Sequence, residues 1–179
     1  MKHAGRWLPL LGLLLLSGCG RTEWQDVDWK EARCRFKMPR GFGDYPEKDV
    51  TIPGVKAPLR GKTFEDKAGG LGVFYVELPP GEGQEDSVSA RLGGAVAGLK
   101  ASRKDAVFLD GKQQDHSADS PPWREAQIEW KDSAGVKMVT LMRVYLVERR
   151  LYVVMSSGTP NWVESKETQE FLRSFTTTR

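Results

Sequence analysis

His116 lies in the run Gln113-Gln114-Asp115-His116-Ser117-Ala118-Asp119, which holds a base, a hydroxyl and two carboxylates within a few positions. A Ser-His-Asp nucleophile needs its histidine held rigidly by a buried acid. Here the partners crowd into a polar segment, 110–122, that reads as a loop, so no triad is expected. Asp115, His116 and Asp119 suit a metal by ligand type. Zinc sites draw on several histidines or thiolates, and none is spare, so neither a metal nor another cofactor is assigned. Glu125 and Glu129 alternate with Ala126, Ile128 and Trp130, which places them with Trp123 and Gln127 on one side of a strand. Two carboxylates beside an aromatic can serve glycoside hydrolysis, but four positions along a strand span about 13 Å, too far for a usual pair. Cys34 alternates with Phe36 and Met38, opposite Arg33, Arg35 and Lys37, and reads as a small buried hydrophobe. The sharper alternative is a thiolate favoured by those cations.

These residues define no catalytic constellation, and a non-enzymatic protein is expected. The alternative is a hydrolase or small-ligand protein with a cleft near Glu125, Glu129 and His116. Aromatics are enriched at binding hot spots. Trp123 beside Pro121-Pro122, Tyr45 in the stretch 44–60, and His116 are the candidate contacts for a partner.

The elements that must position them follow from periodicity. Strands are expected at 34–38, 61–65, 71–78, 106–109, 123–131, 136–147 and 151–157. The last three are joined by turns short enough for antiparallel hairpins. Both alternating sets of 136–147 are apolar, so that strand needs cover on both faces. The stretch 44–60, with Pro46, Pro53, Gly54 and Pro58, reads as a long irregular insert. Helices are expected at 87–103, where Val88, Leu92, Ala95, Val96 and Leu99 recur at helical spacing, and at 160–173, where Thr159 caps and Pro160 opens the first turn. Gly93, Gly94 and Gly98 suggest a close approach of the first helix to the sheet. The segment 24–30 is offered as further cover.

The amino terminus carries Lys2 and Arg6, an apolar run from Leu8 to Leu16, and then Ser17-Gly18-Cys19. A spanning helix needs about 20 apolar residues, and this run is too short. Leu16-Ser17-Gly18-Cys19 resembles a bacterial lipobox. That resemblance implies cleavage between Gly18 and Cys19, lipidation of the Cys19 thiol, acylation of the new amino terminus by a fatty acid such as palmitate, and residence in the cell envelope facing the periplasm or outside. Gly20 favours the outer membrane where one exists. Residues 1–18 are then signal peptide, 19–30 the lipidated terminus and tether, and 31–179 a single domain. Losing Lys2 and Arg6 lowers the formal charge of +3 by two, and no basic patch dense enough for nucleic acid remains. The expected partners are the membrane, through Cys19, and a protein of the envelope.

Phe36-Lys37-Met38-Pro39-Arg40-Gly41-Phe42, Leu151-Tyr152-Val153-Val154-Met155-Ser156-Ser157 and Phe171-Leu172-Arg173-Ser174-Phe175 resemble segments of PsbP/Mog1-like domains. The resemblance implies a binding or accessory role and an α+β fold. Helices on both faces of a mainly antiparallel sheet give the expected architecture, a three-layer α/β/α sandwich.

Overall fold

Seven antiparallel strands form the main sheet of this protein, whose computed structural model describes residues 22–52, 55–80, 87–103 and 105–178. In spatial order they are β3 (Gly43–Ile52), β4 (Val55–Glu65), β5 (Gly69–Glu77), β9 (Arg150–Gly158), β8 (Lys137–Val147), β7 (Trp123–Lys131) and β6 (Val107–His116). A second sheet joins β1 (Trp24–Trp29), β2 (Cys34–Pro39) and β10 (Thr176–Thr177). Three helices complete the described residues: α1 (Val88–Ala101), α2 (Pro160–Glu164) and α3 (Lys166–Ser174).

The expected three-layer α/β/α sandwich is not what forms. One face of the seven-stranded sheet carries α1, and the other carries the three-stranded sheet together with α2 and α3. The chain is therefore mostly β with two antiparallel sheets. The reason lies in 24–29, part of the segment offered above as further cover: Val27 and Trp29 alternate with the exposed Asp26 and Asp28, a period of two, and the segment pairs with β2 from Trp24↔Pro39 to Trp29↔Cys34.

Two apolar cores result, one on each face. Phe36, Met38, Val73, Tyr152, Val154 and Phe171 belong to the first, and Val76, Leu92, Val96, Ile128, Met142 and Val144 to the second. Strands β8 and β9 feed both, which is why neither shows a polar face.

The insert at 44–60 is also strand. Its prolines are tolerated because β3 is an edge, with Pro46 at a bulge between Tyr45 and Lys48, and because Pro58 lies beyond the part of β4 that pairs with β5. The polar segment from Asp110 to His116 belongs to β6, the opposite edge, where hydrophilic side chains blunt further pairing. The final helix is broken at Ser165, whose hydroxyl accepts from the Thr168 N–H at 3.2 Å and starts α3 afresh.

Cys34 is fully buried in the first core. Burial pushes its thiol up from 9.0 to about 12, against the opposing pull of Arg150. The thiolate reading fails because Arg33 and Arg35 point to solvent. Native protein is expected to leave Cys34 unmodified by a thiol reagent at pH 8 and to yield it fully on unfolding. Below pH 9 the thiol is protonated in both states. Above it the unfolded chain releases the proton first, so this contribution to stability is lost as pH climbs toward about 12. A urea midpoint that falls less over this range in Cys34→Ala than in wild type checks the sign.

Candidate functional site

Strand alternation separates the group around His116. Asp115 turns toward α1, where it binds the Arg124 guanidinium and accepts from the Ser89 hydroxyl at 2.8 Å. The Ser89 hydroxyl, Arg124 and Ser117 together hold its carboxyl well below the usual carboxylate range. His116 faces the other way and stacks on Trp123, with ring centroids 3.9 Å apart and planes 1° from parallel. Its Nδ1 lies 3.3 Å from Asp119 Oδ2, which also accepts from Trp123 Nε1 at 3.1 Å. Asp119 is half exposed, so the acid that would have to be buried in a triad is wet. Asp115 and His116 sit on opposite faces and do not join Asp119 as one ligand set.

Glu125 and Glu129 each have a cation of their own. Arg143 donates from Nε to Glu125 at 2.7 Å, both side chains being largely buried, and also donates to the Leu172 carbonyl at 3.1 Å. That arrangement ties the end of α3 to the sheet. Glu129 meets Lys137 at 2.5 Å. Both carboxylates are engaged in structure.

Register brings together a set that sequence reading missed. Arg60, Tyr75, Tyr152, Tyr145, Trp123 and His116 are successive cross-strand partners, one from each of six adjacent strands. Trp123 and Tyr145 stack at 5.9 Å, and Phe175 lies over both Tyr145 and Tyr152 at 5.0 and 5.4 Å. The row is mostly covered by the second sheet and the chain end. Both ends are partly open, Arg60 at one and the His116–Trp123 stack at the edge of the sheet at the other.

Tyr45 is elsewhere, on the lip of a cavity of about 580 Å³ between α1 and the β3–β4–β5 side of the sheet. Helix α1 lies over β7 and β8, also touches the two edge strands β6 and β3, and leaves β4, β5 and β9 as the floor between. That floor is apolar: Phe74, Val76, Leu151, Val153 and Met155 line it, with Leu99 and Ala95 from α1 above. Phe74 lies flat across Gly61 and Gly72, where an added Cβ would stand 2.3 Å from its ring. Tyr45 meets it edge-on at 5.2 Å and 84°. The glycines of α1 do not all mark close approach, as their sequence suggested. A Cβ on Gly93 would meet the tip of Arg124, but one on Gly98 would find nothing within 4 Å. Gly98 lines the cavity.

At one end the lining turns polar. Trp130 Nε1 donates to Thr140 Oγ1 at 3.1 Å, and the Thr140 and Ser157 hydroxyls share a bond of 2.8 Å. Whichever donates, one hydroxyl proton of the pair is left unspent, and both residues line the cavity. A concave apolar space with a few convergent polar groups is the usual form of a small-molecule site. None of Glu125, Glu129 and His116 lines it.

No family model and no curated protein matches the chain. The fold is PsbP-like. Among solved structures it is similar to cyanobacterial PsbP (CyanoP) from Synechocystis sp. PCC 6803, at 19% identity and a TM-score of 0.58, over 89% of this chain and 95% of that one. A protein of unknown function from Pseudomonas aeruginosa matches at 9% identity and a TM-score of 0.45, over 82% of this chain and 90% of that one. At these identities the first likeness carries the fold alone, and the second carries no argument.

Proposed function

We propose that this chain is a lipid-anchored, non-enzymatic binding domain of the bacterial cell envelope, tethered through an acylated Cys19 and taking its ligand in the cavity under α1. The open apolar cavity is the observation that carries the reading. The engagement of Glu125 and Glu129 with structural cations supports a binding role over hydrolysis. Gly18 and Cys19 lie outside the described residues, and the anchor rests on the lipobox-like sequence. The His116–Trp123 edge is the place assigned to an envelope protein partner.

A photoactivatable probe with a plain alkyl chain and no head group tests the cavity in the membrane-bound protein. Label is expected on peptides covering 69–77, 88–101 and 150–158. Label confined to the β6–β7 edge, or spread evenly over the chain, would contradict the reading.

A further inference from the structure

We infer that the cavity under α1 accepts a single-chain zwitterionic amphiphile of the lysophospholipid class, with its chain along the Phe74 floor and its head at the Thr140–Ser157 end. The inference rests on the reading of this cavity as the ligand site and adds the chemistry of the ligand.

Polarity along the floor follows from register. On the α1 face the first cross-strand row is Glu65, Gly70, Ser157 and Thr140. The next is Thr63, Gly72, Met155 and Met142, followed by Gly61, Phe74 and Val153, and then by Val76 and Leu151. One end is thus hydroxylic and charged, and the rows beyond it become apolar. From Ser157 to Leu151 the strand advances roughly 20 Å, a length suited to an extended acyl chain. Met142 and Met155 lie midway, and their unbranched thioethers adapt to flexible apolar ligands.

The direction of α1 places further polar groups at the same end. The helix begins near Arg124, which donates to Ser89 at 3.0 Å, and ends near Trp130, where the Arg103 guanidinium lies 4.4 Å from the ring centroid. Ser102 and Arg103 therefore line the end that holds Thr140 and Ser157. Glu65 stands in the same cross-strand row as Ser157 and Thr140, on the β4 side, and also lines the cavity. Charges of both signs flank this end, which matches a phosphate toward Arg103 and an ammonium toward Glu65.

Volume limits the number of chains. A methylene occupies about as much space as a water molecule, roughly 30 Å³ in the liquid. A cavity of about 580 Å³ then holds on the order of 20 such groups, which is one chain with part of a head. The volume therefore matches a single chain.

The test uses the full anchored protein in lipid nanodiscs and a 1-acyl lysophosphatidylcholine with a diazirine in its chain. Peptides 69–77, 88–101 and 150–158 are expected to be labelled, and an analogous two-chain phosphatidylcholine is expected not to label them. Gly98→Phe adds a ring at the cavity's rim, from an exposed lining position with open space, and it is expected to cut that labelling at least tenfold without lowering the melting temperature. Arg103→Ala is expected to weaken labelling by the lysolipid severalfold and leave labelling by the headless alkyl probe unchanged. Equal labelling by the two-chain lipid, or labelling that persists in Gly98→Phe, would overturn the inference. If the headless probe labels the cavity and the lysolipid does not, the ligand class is wrong and the cavity reading survives. If neither probe labels it, both fall.

Discussion

Phe171→Ala is expected to lower the unfolding free energy by about 3–5 kcal/mol, the range for deleting a buried aromatic side chain. Phe171 is fully buried, and it anchors α3 in the core shared with Met38, Val154 and Leu172. Small domains are stable by only roughly 5–15 kcal/mol, so a large part of the stability would go. The urea midpoint should fall with little change in slope. Glu170→Ala, one position away on the exposed side of α3, should stay within about 0.5 kcal/mol of wild type. The two cores lie on opposite faces of the sheet, so folded Phe171→Ala should bind the headless probe as wild type does. A loss below about 1 kcal/mol, outside the range for a buried aromatic, would mean that α3 is not held by this core.

Cys19→Ala is expected to abolish incorporation of a clickable fatty acid and to leave the chain heavier by residues 1–18. Lipobox processing acts on the cysteine, so one substitution removes both the acyl acceptor and the cleavage. The effect should be all-or-none. A single acyl chain binds a bilayer with a constant on the order of 10⁴ M⁻¹, whereas two chains hold stably, so the full set on Cys19 is what would fix the domain at the membrane. No helix among the described residues is long and apolar enough to cross a bilayer. Undiminished label in Cys19→Ala would place acylation elsewhere, and an unchanged mass would remove the cleavage.

The central hairpins were legible in the sequence because β7, β8 and β9 carry strong apolar patterns and are separated by short turns. Helix α1 was legible from its spacing. What the sequence concealed was set by position in the sheet. Pro46 and Pro58 look like breakers, yet an edge strand with a bulge accepts them. Asp110 to His116 is as polar as a loop, and an edge strand tolerates that polarity. Trp24–Trp29 alternates with period two only from Gln25 to Trp29, too short a run to mark a strand by sequence, and the architecture turns on it.

The site was hidden for a related reason. Tyr75, Tyr152, Tyr145 and Trp123 are scattered along the chain and meet only through the register of three strand pairs. The cavity depends on which half of the sheet α1 leaves uncovered. A signal was present in Gly98, but glycine in a helix marks either close packing or open space. Only the fold distinguishes the two. Sequence offers Tyr45, His116 and Trp123 together as partner contacts, whereas the structure places Tyr45 at the cavity on one face and the stacked pair at the edge of the other.

Native mass spectrometry of the protein extracted from its own membranes tests the central claim most directly. The expected species is a chain beginning at Cys19, carrying its acyl groups, with one single-chain zwitterionic lipid bound per molecule and lost in Gly98→Phe. A chain that retains residues 1–18 without acyl groups, or a bound mass that is absent in wild type or identical in Gly98→Phe, would contradict it.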